Sequence, residues 1–398
     1  MATDVGDQAR GRGGQTVLHI IQCTNLGGME QSALRAMTAL AGYGASFRLA
    51  TPRPFGPGAD AFRAFDPAMR DFPYRGRFGW RDWPAFRRHL CALARECSHV
   101  WVTGTCAASL AASRGLGLPR ILSHHYHHFE DRPSFMRWRL FYELLCRDLD
   151  AVTYPSAFTR DEAVRIAPWI AARAHVVRNG VDLAYAGEAW LTAERLRARR
   201  ALGLPEDALV VGNAGWLIAR KRFDVFLATA RAVRARVPGA IFCICGGGPL
   251  EAELRARADA LGLADAVRFE GWRKDLVPYY RAWDVLLFNS DFDAFGLTPL
   301  EAAAQGCLVV ASARYGGLGE FLRDGENGYL FSDHRPEEMA ERIALLYSSP
   351  ELARRLREGA AAAIRRDYDI ETVTRFYRER FGLSESPASV PPFPKGRP

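Results

Sequence analysis

Asp293 and Glu301 lie in the busiest stretch of the chain, NSDFDAFGLTPLEAAAQGCLVVAS (289–312). The apolar residues 284–288 read as a strand, the polar run after them as a loop, and Gly296 to Pro299 as the start of a helix. The first amides of such a helix lack partners inside it, and its dipole turns positive charge toward the loop. That is a site for phosphate. The two carboxylates stand beside the phosphate rather than on it. Each can accept two hydrogen bonds, which suits the vicinal hydroxyls of a ribose or a hexose.

A second group of candidates is histidine. The stretch ILSHHYHHFED (121–131) holds His124, His125, His127 and His128. Histidine serves as metal ligand and as hydrogen-bond partner of sugar hydroxyls. Zinc takes about four converging ligands, whereas this spacing crowds them onto one loop. Neighbours in a strand point to opposite faces, so His124 and His125 cannot both face a ligand if the strand persists. Three readings stand: one ligand-facing histidine, a solvated loop, or a metal site. Likewise DFD (291–293) has the form of a metal-binding D-x-D pair. Gly246–Gly248 suits a tight strand-to-helix turn and lacks the dinucleotide spacing G-x-G-x-x-G. Lys221 reads equally as a phosphate ligand and as a solvated helix start.

The elements that must position these residues alternate throughout. TVLHIIQCT, SFRLATP, HVWVTGT, RILSHH, AVTYPS and HVVRNG are strand candidates in the first half, and LVVGNAGW, AIFCICGGG, VRFEGW, DVLLFNS and LVVASA in the second. Helical patterns lie between them, at 28–41, 82–97, 134–148, 221–236, 249–261 and 350–366 among others. Alternation of this kind predicts an α/β protein with parallel sheets and helices on both faces. With 398 residues, two domains are expected. The reading is a flexible leader (1–15), one domain over 16–182, a charged linker over 183–207, a second domain over 208–365, and a disordered Pro- and Ser-rich tail over 383–398. Two doubly wound domains joined this way are expected to face each other across a cleft, with ligands beyond the carboxyl ends of the strands.

Composition narrows the classes. The eight cysteines form no C-x-x-C pair and sit mostly in apolar segments, as small buried hydrophobes of a reducing compartment do. The expected location is cytoplasmic. A net charge of +8 suits anionic ligands or surfaces and selects none of them. No recognition motif accompanies it, so nucleic acid is not an expected partner. RGRFGWRDW (75–83) and FMRWRLFYELLCR (135–147) mix arginine with aromatics. Such mixtures suit the interface of an anionic bilayer, and equally an amphipathic helix packing its rings inward.

In DAFGLTPLEAAAQG (293–306) the chain resembles the retaining family 4 glycosyltransferases of the GT-B fold, whose mark is Glu, seven residues, Glu around E-G-F-G-L-x-x-L-E-A. Other segments agree in order: NLGGMEQSALRAM (25–37), VVRNGVDL (176–183), GWLIARKRFD (215–224), CGGGPL (245–250) and RFEGW (268–272). The resemblance implies two Rossmann-like domains, the second holding a nucleotide-diphosphate sugar, and a helix over 366–382 returning to the first. It implies that Glu301 holds the donor ribose and Asp293 contacts the sugar. Lys221, Arg220 and the amides of Phe295, Gly296, Leu297 and Thr298 would face the diphosphate. Gly247, in the loop after the next strand, would also bind the donor, Gly271 and Trp272 lie in the segment whose backbone reads the base, and Gly28 would face the phosphate and acceptor. Counting from Pro119, the family's cleft-facing histidine falls on His125, the third catalytic candidate. Two departures stand out: Asp293 replaces the usual Glu, and Trp216 stands where Arg is usual.

The implied activity is transfer of a hexose from a UDP- or GDP-sugar to a glycan or glycolipid, without metal or other cofactor, on or near an anionic membrane surface. The alternatives are an epimerase acting on the same nucleotide sugar, and a non-catalytic sensor of it.

Overall fold

The computed structural model describes residues 15–25, 27–72, 82–126 and 132–384. The expected leader up to 14, the tail from 385, residues 75–81 of the Arg- and aromatic-rich segment, and His127 and His128 lie outside the described residues.

The chain forms two compact units. One takes in the described residues up to Tyr154, Arg160–Gly180 and those from Ile370 onward; the other comprises Pro155–Thr159 and Val181–Asp369. In the first unit the strands are β1 (Thr16–Ile21), β2 (Ser46–Thr51), β3 (Arg70–Asp71), β4 (His99–Thr103), β5 (Arg120–Ser123), β6 (Ala151–Tyr154) and β7 (Ala174–Val176). All pair in parallel, in the order β3-β2-β1-β4-β5-β6-β7. The second unit holds β8 (Val210–Ala214), β9 (Ile241–Cys245), β10 (Val267–Gly271), β11 (Val285–Asp293), β12 (Leu308–Gly316) and β13 (Tyr329–Phe331). These are also parallel, in the order β10-β9-β8-β11-β12-β13.

The apolar runs become these strands because helices cover both sheet faces. Along β11, Val285 and Leu287 enter one apolar cluster with Phe226, Phe242 and Met339. Leu286 and Phe288 enter the other, with Trp283, Phe295 and Tyr368. This is the two-residue period of a strand with a core on each side. Gly212 in β8 is required by packing: a Cβ there would stand 2.0 Å from the buried indole of Trp283.

The domain boundaries differ from expectation in three places. Residues 183–207 are no free linker: Glu188–Leu202 is a helix of the second unit, ended by Gly203 in the left-handed region at φ 61. Its charge misleads, because one arginine is structural. Arg199 is buried, pairs with Asp284 at 2.6 Å and donates to the Ala282 carbonyl at 3.0 Å. Pro155–Thr159, expected within the first domain, belongs to the second unit, where Ser156 donates to the Ala294 carbonyl. The terminal helix runs Ile370–Phe381 in the first unit, while the residues up to Asp369 stay with the second. Tyr377 and Phe381 join the core of Val17, Ile21 and Trp101, and the Tyr377 hydroxyl meets Ser123 Oγ at 2.7 Å.

Sheet order reverses between β1 and β4 in the first unit and between β8 and β11 in the second. In such sheets the crevice at the reversal, beyond the carboxyl ends of the strands, is where ligands bind.

Candidate functional site

Beyond β8 the chain runs through Gly215–Ile218 into a 3-10 turn, Ala219–Lys221, and then the helix Phe223–Arg236. Beyond β11 it reaches Gly296, at φ 88, and the helix Leu297–Ala304. Since β8 pairs with β11, the triplet Arg220–Lys221–Arg222 lands on the carboxylates of Asp291 and Asp293. The Lys221 ammonium is hydrogen-bonded to Asp293, and Arg220 Nη1 lies 3.7 Å from the same carboxylate. Arg220 also donates to the Phe292 carbonyl at 3.1 Å. Arg222 has a positive φ of 46, and its guanidinium pairs with Asp224 at 2.9 Å and Asp291 at 3.2 Å. His334 braces the same Asp291 oxygen, with Nε2 at 3.0 Å, while its Nδ1 meets Ser312 Oγ at 2.7 Å. Burial alone would raise the Asp293 carboxyl, but the charges of Lys221 and Arg220 override it and hold the group below its ordinary range.

Both acids of the D-x-D form are thus turned toward protein cations rather than toward each other. Ser312, Arg222 and His334 had no local signature that singled them out as a network around Asp291. They meet because β11, β12, the segment after β13 and the turn after β8 converge.

The helix N-terminus forms where expected. Gly296, Leu297 and Thr298 open it, with Thr298 half-buried. The Phe295 ring is buried and packs on Tyr368 with centroids 5.5 Å apart, so its backbone alone is left to meet a ligand. Glu301 lies one turn in, and its Oε2 accepts the Tyr280 hydroxyl at 2.9 Å. That hydrogen bond orients the carboxylate.

The glycine loop lies against the turn after β8. A Cβ on Gly246 would stand 1.9 Å from the Gly215 carbonyl oxygen, and one on Gly248 2.7 Å from that of Leu217, so the two backbones touch. Gly247 accepts the Leu217 amide at 3.0 Å, and a Cβ there would stand 4.0 Å from the Glu251 carboxylate, an ordinary contact. Gly246 donates to the Gly271 carbonyl at 2.8 Å, which brings in the end of β10. Trp216 and Trp272 consequently stand together, rings 5.2 Å apart, with 51% and 43% of their surface exposed. Neither residue's pattern foretold the pair, since 56 positions separate them.

Gly28 and His125 lie in the first unit. Gly28 is the first residue of the helix Gly28–Gly42. His125 follows β5, half-buried, and burial pulls its imidazole down to about 4, so it is neutral at pH 7. His124 is fully buried among Trp138, Phe141, Tyr142 and Tyr154. Near the β1–β4 reversal, Cys23 Sγ meets Glu30 at 2.8 Å and Gln22 donates to the Tyr126 hydroxyl at 2.9 Å. Burial and the Glu30 hydrogen bond push the Cys23 thiol up to about 12, which makes it a poor nucleophile.

Two family models match the chain: glycosyl transferases group 1 over residues 194–363 and glycosyltransferase family 4 over residues 26–185. Among curated relatives, the D-inositol 3-phosphate glycosyltransferase of Streptomyces griseus is 38% identical over 42% of this chain and 38% of its own length. That of Stackebrandtia nassauensis is 33% identical over 66% of this chain and 62% of its own. The lipopolysaccharide core biosynthesis glycosyltransferase LpsE of Rhizobium meliloti is 34% identical over 45% and 51%. The chain spans about half the length of the curated relatives it matches. Of solved structures, HepE of Anabaena in complex with UDP and glucose superposes with a TM-score of 0.77 at 19% identity, covering 92% of this chain and 99% of that one. At that identity the likeness speaks for the fold.

Proposed function

For a chain that belongs to the family 4 glycosyltransferases of the GT-B fold, we propose transfer of a hexose from a nucleoside-diphosphate sugar to a glycan or glycolipid, with retention at the anomeric carbon. One observation carries the reading: at the sheet reversal of the second unit, Arg220 and Lys221 stand beside the mouth of the helix Leu297–Ala304. Cations and free amides together match a diphosphate. HepE of Anabaena is known with UDP and with UDP-glucose, which favours a UDP-linked donor here. Association with an anionic membrane surface fits a lipid-linked acceptor.

In the reaction the bond from the anomeric carbon to the diphosphate breaks. The acceptor oxygen bonds to the same face, and its proton passes to the departing phosphate oxygen. Negative charge grows on the diphosphate as it leaves. Lys221, Arg220 and the amides of Gly296–Thr298 are in place before that charge appears, and such preorganisation is commonly the largest catalytic term. Asp293 holds Lys221 ready, and the diphosphate takes its place as the partner of the ammonium.

Thermal shift with UDP-, GDP- and ADP-sugars, followed by product analysis with acceptor extracts, tests the reading. Transfer to an acceptor supports it. An epimerised nucleotide sugar from donor alone, or donor binding without turnover, would replace it by one of the two alternatives.

Three outcomes are expected at this site. EDTA leaves activity unchanged, because Asp291 and Asp293 are held by Arg222, His334, Lys221 and Arg220; loss with EDTA and recovery with manganese would overturn this. The matching nucleoside diphosphate alters the tryptophan emission of the wild type, since Trp216 and Trp272 are the exposed aromatic pair beside Gly271; Trp272→Ala should lose most of the change. Glu301→Ala weakens donor binding by about 1–3 kcal/mol, the usual cost of leaving hydroxyls without their partner. Isothermal titration reads it, and an unaltered affinity removes Glu301 from the site.

A further inference from the structure

The helix Arg132–Leu145 is apolar on two opposite sides. Its inner side is consumed by the fold: Trp138 and Tyr142 are buried in the core of the first unit, with Phe135, Phe141 and Leu145 packed against it. Its outer side carries Met136, Leu140 and Leu144, which are 61%, 57% and 57% exposed. Their spacing of four places them in one line about 12 Å long. Folding of the unit therefore leaves this line in water, where a helix of a soluble domain usually shows polar residues.

The charges around the line are chosen too. At 3.6 residues per turn, Arg139 falls on one side of it and Arg137 on the other, both exposed. The helix has a single acid, Glu143, and that carboxylate is taken by Arg147 at 2.8 Å and by the Trp169 indole at 3.0 Å. The face presents apolar side chains between cations, with its one negative charge already paired. A second copy of the chain would fit badly, because a two-fold contact sets the same arginines against each other.

We propose that Met136, Leu140 and Leu144, flanked by Arg137 and Arg139, dock on an anionic lipid bilayer. The three side chains enter the boundary between head groups and acyl chains, and the guanidinium groups meet lipid phosphates. This deepens the membrane partner in the functional reading by giving it a surface. Lipid binding is read without turnover, so failure of the proposed transferase activity leaves it untouched.

The test is co-sedimentation of the full chain with phosphatidylcholine vesicles, with and without phosphatidylglycerol. Each arginine near an anionic surface is worth on the order of five-fold in partitioning. Wild type should therefore bind the phosphatidylglycerol vesicles at least about ten-fold better, and salt should weaken it. M136Q/L140Q/L144Q and R137E/R139E should each lower that binding by about ten-fold or more, with the thermal midpoint unchanged because these positions are exposed. L345Q/Y347Q, which alters exposed apolar residues of the second unit, should bind as wild type does. The proposal is overturned if wild type stays in the supernatant, if the two vesicle types bind equally, or if the Met136–Leu144 variant pellets like wild type. A concentration-dependent dimer abolished by that variant would assign the face to self-association instead.

Discussion

Lys221→Ala should lower kcat/KM by about 10²–10³-fold, the range for removing one preorganised group from developing charge. The loss has two parts. The diphosphate forfeits one of its two side-chain cations, and Asp293 keeps Arg220, at 3.7 Å, as its balancing charge. A carboxylate with one cation fewer beside it then repels the incoming anion. Adding Asp293→Asn to Lys221→Ala should therefore recover part of the loss, even though it removes another charged group. Stability against pH checks the same pair. Lys221 and Arg220 hold the Asp293 carboxyl below its ordinary 3.8 despite burial. A carboxyl depressed in the folded state stabilises above its unfolded value, and that increment disappears as pH falls through the folded one. Without Lys221 the folded value rises toward or past the unfolded one, so that increment shrinks and the variant should lose less stability on acidification than wild type. The idea fails if Lys221→Ala stays within three-fold of wild type in kcat/KM, or if the two acid profiles coincide.

His125→Ala should cost about 10²–10³ in kcat, while His124→Ala should cost stability instead. Both follow from one strand end. His124 donates its amide to the Thr153 carbonyl at 2.8 Å, so the extended path continues past β5 and the two side chains diverge. His124 enters the aromatic box of Trp138, Tyr142 and Tyr154, where truncation leaves a cavity worth about 2–4 kcal/mol. His125 remains half-buried, and burial pulls its imidazole down to about 4, so it is neutral at higher pH. It offers a neutral hydrogen bond rather than a charge. His125→Gln should accordingly retain more activity than His125→Ala, and the rate should show no titration of this group between pH 6 and 8. Denaturation and kcat of the three variants decide. Equal losses of stability from His124→Ala and His125→Ala, or an unaltered rate in His125→Ala, would sink the assignment.

Much of this could be read from the chain before folding. The runs that became β1, β2 and β4 to β12 are largely apolar without polar alternation, which already specifies strands covered on both faces; the short β3 and β13 were not read from the sequence. DAFGLTPLE located the strand end, the left-handed Gly296 and the helix that follows, since loop, cap and apolar period occupy consecutive residues. Where the reading failed, local chemistry had two meanings. The charged, helix-prone stretch 183–207 suggested a linker, yet Arg199 is charged and buried because Asp284 and two carbonyls receive it.

Periodicity along the chain records which face of an element is apolar, and spacing records which side chains share a turn. Neither records what will cover that face, because the covering element comes from elsewhere in the sequence. The pairing of Lys221 with Asp293 exists because β8 lies beside β11 at the sheet reversal, an order set by crossover packing rather than by either segment. His334 reaches Asp291, and Trp216 reaches Trp272, for the same reason. The helix Arg132–Leu145 makes the point most simply. Its sequence is apolar on both sides, and only its seat on the first sheet left Met136, Leu140 and Leu144 facing water while Trp138 and Tyr142 went into the core.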